Sequence, residues 1–325
     1  MPEDLETPQR LNAQFSLWNC LYGTIVCIGH NEVLHVPGSD TRDTCSSVWT
    51  VDVENARMTR EQFQSPLHIA RNYPSLTRIG GEVLMFGGRV PYPYGCSRSA
   101  AARRVERRSD LHIFDIATRQ WRLVTRRGEW PEGRYMHAAF AHDGRLVVAG
   151  GTGSAELGIN SVWQYDVEKG TWTRLRNLPY TMRYLNGVSV AGVPHIFGIC
   201  RGDTARSTED HFSASHMGSD LTHSTWVEET PTPFVGYRGL SFGTDTHVVE
   251  GARDARDTVW AIHTYEAVSG EWEKRDWLRL GSRHCYCATL CVLSPDHILL
   301  LTDENHAYLV HTDTLPEEIG ELCGE

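Results

Sequence analysis

No apolar run in this chain reaches the roughly 18 residues that a membrane-spanning helix needs. There is no Gly-rich phosphate loop, no His-Glu-x-x-His and no Cys-x-x-Cys, so the usual signatures of nucleotide, zinc-protease and paired-thiol chemistry are missing. Positive charge is in deficit. Thirty-one Lys and Arg stand against 41 Asp and Glu, a net charge of −10, which argues against non-specific nucleic-acid binding by the whole surface but leaves room for a local basic patch. The nine cysteines are an odd number without framework spacing. The first ten residues, MPEDLETPQR, are acidic and polar, unlike a secretory signal. Together these lead to the expectation of a reducing compartment, the cytoplasm or the nucleus, with no membrane partner.

What is present is repetition. LVVAGG is followed by SVWQYDVEKGTW, VLMFGG by SDLHIFDIATRQW, and a weaker HVVEGA by TVWAIHTYEAVSGEW. In each, small residues end an apolar strand, and an aromatic precedes a tryptophan by seven positions: Phe114 and Trp121, Tyr165 and Trp172, Tyr265 and Trp272. An arginine opens most units, at Arg71, Arg134, Arg183, Arg238 and Arg283. From Arg71 to Gly87 is 16 residues, and from Arg134 to Gly150 is 16 again.

Each unit reads as four antiparallel strands, A to D. In the third, A covers about 136–142, B Arg145–Ala149, C Ser161–Asp166 and D Thr171–Leu175. Asp143-Gly144 is a hairpin turn between A and B, and Glu168-Lys169-Gly170 turns between C and D. The fourth unit is degenerate, with Gly198-Ile199 in place of the glycine pair and Trp226 as its tryptophan. The sixth lacks a D strand, which residues 2–9 or 314–322 are expected to supply, since an open sheet edge invites aggregation.

This pattern resembles the kelch repeat, with a period of about 50 residues and a β-propeller fold. The resemblance implies one all-β domain over residues 1–325, a six-bladed propeller of four-stranded antiparallel blades. The blades are expected near 10–63, 71–125, 134–176, 183–229, 238–275 and 283–325. The tryptophans are expected to be buried equivalents between blades.

Meander geometry gathers the D–A and B–C loops on one face. The longest insertions, near 37–46, 89–109 and 200–209, fall there, and loops on a rigid scaffold are where binding is normally carried. Arginine's planar fork suits carboxylates and phosphates. In kelch substrate receptors of ubiquitin ligases, arginines at matching positions hold acidic residues or a terminal carboxylate. The resemblance implies that role for Arg71, Arg134, Arg183, Arg238 and Arg283, with Tyr73 and His137 beside them. The alternative for each arginine is an architectural one, capping strands within its own blade. A basic cluster in the second insertion, Arg98, Arg103, Arg104, Arg107 and Arg108 with Tyr92 and Tyr94 before it, is the one place suited to nucleic acid or an acidic partner.

Cys285, Cys287 and Cys291 share one face of an innermost strand by period two, and read as buried thiols. No catalytic residue, metal ligand or cofactor is assigned. The expected function is a non-catalytic adaptor or scaffold that grips an acidic or carboxylate-bearing peptide. The alternatives are an enzyme acting on a small anionic substrate at the pore mouth, or an accessory propeller in tRNA modification. For the latter, YPSLTRIGGEVLMFGGRV with SDLHIFDIATRQW is similar to the kelch portion of fungal enzymes of wybutosine synthesis.

Overall fold

A computed structural model describes residues 9–13, 23–38, 45–63, 69–90, 106–154, 157–190, 192–200, 210–214, 221–231, 241–243, 247–253, 259–266, 269–279, 288–294, 297–302 and 306–311. Among them the regular elements are strands, and each repeat folds as an antiparallel meander.

The first unit holds A Thr24–Gly29, B Glu32–Val36, C Ser47–Asp52 and D Arg57–Gln62. The second holds Ser75–Ile79, Glu82–Phe86, Leu111–Asp115 and Gln120–Leu123, with a two-stranded ribbon, Arg89–Val90 and Glu106–Arg107, in its B–C insertion. The third holds Ala138–His142, Arg145–Ala149, Val162–Asp166 and Thr171–Arg174, within two residues of the expected bounds. The fourth holds Met182–Val190, Val193–Cys200, Asp210–Ala214 and Trp226–Glu228. The fifth holds Ser241–Gly243, His247–Arg253, Val259–Glu266 and Glu271–Arg279. The sixth holds Ala288–Ser294, His297–Thr302 and Ala307–His311.

The missing D strand of the sixth unit comes from the start of the chain. Gln9 and Arg10 pair antiparallel with Leu309 and Tyr308. Leu11 is buried, and Asn12–Ala13 then adds to the first unit's D strand in parallel. One five-residue segment thus covers two outer edges and joins the first and last units. The expectation of six four-stranded blades is corrected accordingly: five sheets are four-stranded, and the first unit's sheet has five strands.

The B strands are continuous apolar runs because both faces are buried between neighbours. Val83 and Met85 pack toward the first unit, Leu84 and Phe86 toward the third. Leu146 and Val148 pack toward the second, Val147 and Ala149 toward the fourth. This is the two-residue period of a strand. Phe114, Tyr165 and Tyr265 each sit directly across from Trp121, Trp172 and Trp272, with ring centroids 5.1 Å apart in all three pairs. Trp121 and Trp172 are buried as expected, whereas Trp272 is only half-buried. Trp226 departs from the series, because its partner across the ladder is Ala214.

The C–D turns repeat a local device. Asp52, Asp115 and Asp166 end their C strands and accept from the backbone N–H of Asn55, Thr118 and Lys169, at 3.1, 2.7 and 2.9 Å. Aspartate favours such turns because its carboxylate substitutes for a backbone acceptor. The innermost A strands contact one another in series, sixth to first, then first through fifth. Their N-terminal ends therefore surround the central axis on the D–A/B–C face.

Candidate functional site

Arg71 and Arg134 occupy one position in successive units, and both are buried. Arg71 Nε donates to Ile69 O at 3.2 Å and Nη1 to Gly87 O at 3.1 Å. Arg134 Nε donates to Glu132 O at 3.2 Å and Nη1 to Gly150 O at 3.0 Å. The partners are two residues behind and sixteen ahead in each case. The remaining donors reach the residue that precedes the C strand. In the second unit Asp110 takes a two-pronged ion pair at 2.8 and 3.1 Å; in the third, Ser161 offers its carbonyl at 3.1 Å and its hydroxyl at 2.8 Å.

The glycine pairs explain why an arginine is needed there. Gly87, Gly88, Gly150 and Gly151 all have positive φ, which ends the B strand. A Cβ on Gly88 would meet Arg71 Cδ at 2.8 Å, and one on Gly151 would meet His137 Cβ at 2.7 Å. Where the ladder breaks, the guanidinium supplies the donors. Burial pulls Arg134 down to about 10, so it stays charged at neutral pH. Burial pushes the Asp110 carboxyl up, but Arg71 beside it more than offsets this and holds it below the usual range. These two guanidinium groups serve the interior, and the expected arginine ring loses both as ligand-facing groups.

Arg183 is not their equivalent. Gly88 N–H donates to Arg134 O at 2.8 Å, and Gly151 N–H donates to Met182 O at 2.9 Å. Met182, fully buried, therefore fills the arginine position of the fourth unit. There the strands pair again beyond a register shift between Arg183 and Asn186, joining Met182 with Cys200 and Arg183 with Ile199, and no side-chain donor fills the slot. Arg183 stands one residue further, in the place of Asn72 and Tyr135. It is half-exposed, and its guanidinium has no hydrogen bond or ion pair among the described residues. The spacing signals this offset, because Gly198 lies sixteen residues after Met182 and fifteen after Arg183.

At the start of the A strands of the second and third units lies an aromatic-cationic cluster. Tyr73 and Tyr135 stack with centroids 6.1 Å apart. Arg89 lies over both rings, 5.3 and 5.0 Å from their centroids, within cation–π range. No described residue forms an ion pair with Arg89, and its buried Nε has no partner among them. Tyr73, Met136 and Tyr184 have φ of 56°, 53° and 57°, a left-handed conformation uncommon for bulky residues. It recurs at the same place in three successive units. Arg89 and Tyr135 were not singled out by sequence, although each adjoins a feature that was: Arg89 follows Gly87-Gly88, and Tyr135 follows Arg134.

His137 lies between units. Its Nε2 is 3.0 Å from Ser75 Oγ, and its ring meets Phe86 edge-on. Burial, reinforced by Arg134, pushes it down to about 3, so it is neutral. It packs the interface rather than the pore. Arg238 and Arg283 lie outside the described residues.

A second feature on this face is a cleft of about 330 Å³ in the second unit, lined by Arg107, Arg108, Arg126, Glu106, Asp110 and His112 among others. Most of its charge is internally matched. Arg108 pairs with Glu106 at 3.1 Å, Asp110 with Arg71, and Arg126 donates to Ser109 Oγ. Of the basic cluster read from sequence, Arg98, Arg103 and Arg104 lie outside the described residues, as do Tyr92 and Tyr94. Of the cysteine trio, Cys291 is buried as expected, and Cys285 and Cys287 lie outside the described residues. No group of three or more His, Cys, Asp or Glu suited to a metal occurs among the described residues, and no described helix is long and apolar enough to cross a membrane.

Radially arranged four-stranded antiparallel sheets around a common axis define an all-β propeller. The fold is shared with the structure of YjhT, at a TM-score of 0.62 and 15% identity over 95% of each chain. The profile of the KLHDC2/KLHL20/DRC7 Kelch-repeats domain matches residues 10–198 and 95–301, and the chain belongs to that kelch-repeat family. It is similar to Kelch domain-containing protein 3 of Rattus norvegicus, 25% identical over 164 residues, 48% of this chain and 39% of that protein. It is also similar to Kelch domain-containing protein 10 of Homo sapiens, 29% identical over 107 residues, 31% of this chain and 21% of that protein. The matches thus span well under half the length of these curated relatives. Kelch propellers are, in general, protein-interaction modules.

Proposed function

We propose that this propeller is a non-catalytic interaction module that holds an acidic side chain or a terminal carboxylate of a partner peptide at the D–A/B–C mouth. The observation that carries the reading is the cluster of Arg89 over Tyr73 and Tyr135, with Arg183 in the place of Tyr135 one unit on. Two guanidinium groups without ion-pair partners among the described residues, one of them over stacked rings, suit an anion attached to an apolar or extended peptide. In a chain of net charge −10, such a local cationic site steers an acidic segment to one place. A cytoplasmic or nuclear adaptor role, including substrate reception for a ubiquitin ligase, is the extension of this reading that partner recovery by affinity purification addresses.

The direct test screens the purified chain against peptide arrays bearing acidic or C-terminal carboxylate groups, and measures the best binder by fluorescence anisotropy. Changing Arg89 and Arg183 together to Ala should weaken that binder by roughly 1.5–3 kcal/mol for each charge-assisted hydrogen bond removed. Added salt should weaken the parent complex as well. A folded double variant with unchanged affinity sinks the proposal.

A further inference from the structure

The ring closes at the contact between the first and sixth units, and two thiols meet there. Cys27 is on the innermost strand of the first unit and Cys291 on the innermost strand of the sixth. Both are free cysteines, Cys27 half-buried and Cys291 buried. They share one apolar core with Leu11, Trp49, Leu293 and Leu309. Cys27 Sγ lies 3.2 Å from Gly29 O in its own strand and 3.8 Å from Leu293 O across the seam. The two inner strands that carry them pack side by side at the seam.

We propose that Cys27 and Cys291 form an oxidisable dithiol whose disulfide clasps the first unit to the last and locks the propeller shut. The clasp acts where the reduced ring depends on short pairings. Gln9–Arg10 gives two residues of antiparallel ladder and Asn12–Ala13 two of parallel ladder, joined by the buried Leu11. A covalent bond on the inner strands complements this outer staple. Because the cysteines are separated by most of the chain, the bond would close a very long loop, the case in which a crosslink most restricts the unfolded ensemble.

The chemistry has a natural order. The neighbouring Cys291 thiol pulls Cys27 down to about 7, while Cys27 and burial push Cys291 well up. Cys27 is therefore the thiolate that reacts first, since the thiolate is the nucleophile. With a glutathione-type disulfide as oxidant, the Cys27 thiolate attacks one sulfur and expels one glutathione thiolate, leaving a mixed disulfide on Cys27. Cys291 then loses its proton and attacks the Cys27 sulfur, expelling the second glutathione. Two protein thiols are oxidised to one disulfide, and one glutathione disulfide is reduced to two thiols. The inference is independent of the peptide-binding reading.

The test equilibrates the full chain with glutathione disulfide or with dithiothreitol, maps peptides without reduction, and compares thermal midpoints. The expected result is a Cys27–Cys291 crosslinked peptide and a rise in apparent Tm of about 5 °C on oxidation. Cys27→Ser should abolish both, and Cys291→Ser should trap glutathione on Cys27. The wild-type peptide map stands alone if either variant misfolds. Recovery of Cys27 and Cys291 as separate thiols or separate glutathione adducts, or a crosslink that leaves the Tm unmoved, overturns the proposal.

Discussion

Replacing Arg134 by Met separates the two roles an arginine at this position can have. Met is chosen because Met182 stands in the same place one unit on and is fully buried there. The change keeps a long unbranched side chain and removes the donors. Glu132 is exposed, so water can replace the guanidinium at its carbonyl. Ser161 O retains the Gly150 N–H at 3.1 Å. Gly150 O, in a buried residue, loses its Nη1 donor at 3.0 Å, and Ser161 Oγ loses its 2.8 Å donor. An orphaned buried acceptor costs about 1–3 kcal/mol, and a hydrogen bond to a charged donor contributes about 1.5–3. Relief of guanidinium burial offsets part of this, leaving a net loss of about 2–4 kcal/mol. Urea unfolding followed by tryptophan fluorescence measures it. Arg183→Met is the internal control, expected within about 0.5 kcal/mol of the parent, as for a surface change. If Arg134→Met proves as silent as Arg183→Met, or if Arg183→Met costs as much, the assignment of Arg134 to the interior and Arg183 to the mouth is wrong.

Stability should depend on acid pH through buried histidines. Burial holds His112 and His195 down at about 4, and burial with Arg134 holds His137 at about 3, all below the ordinary 6.5. The unfolded chain takes up these protons near 6.5 and the folded chain does not. The contribution is therefore full above about pH 6.5 and is lost as pH falls toward 4, at roughly 4 kcal/mol per pH unit for three groups together. Urea midpoints that do not move between pH 7 and pH 5 would contradict the burial of these rings. For the tryptophans, Trp121→Ala should cost about 3–5 kcal/mol, since the ring is buried and its Nε1 donates to Ser46 Oγ of the preceding unit at 2.9 Å. The half-buried Trp272 should cost less under the same unfolding assay, and an equal or larger loss there would refute the ranking by burial.

Most of the architecture was legible because it is periodic. The aromatic-to-tryptophan spacing places Phe114, Tyr165 and Tyr265 opposite their tryptophans without further information. The apolar B strands and the glycine pairs are likewise local signals, each tied to a backbone requirement. The strand count failed where the chain stops repeating. Nothing in the periodicity says that Leu11 crosses the closing seam and lets Asn12–Ala13 add a parallel strand to the first unit. The site was harder to read, because arginine serves the fold and the ligand with the same fork. Arg89 is invisible as a repeat element, since it starts an insertion that differs from unit to unit.

The sixteen-residue interval separates the two uses better than the residue type does. The fold needs a donor where a glycine pair breaks the ladder, so an interior arginine must have a glycine sixteen residues ahead. Arg71 has Gly87 and Arg134 has Gly150; Arg183 has Ile199, Arg238 has Asp254 and Arg283 has Leu299. In the fourth unit the ladder shifts register between Arg183 and Asn186 rather than ending, Met182 pairs with Cys200, and the side chain in the slot is apolar. An arginine displaced from that slot is released from the work of closing its blade. Among the described arginines at the starts of the units, Arg71 and Arg134 serve the interior, and Arg183, one residue past that slot, is half-exposed.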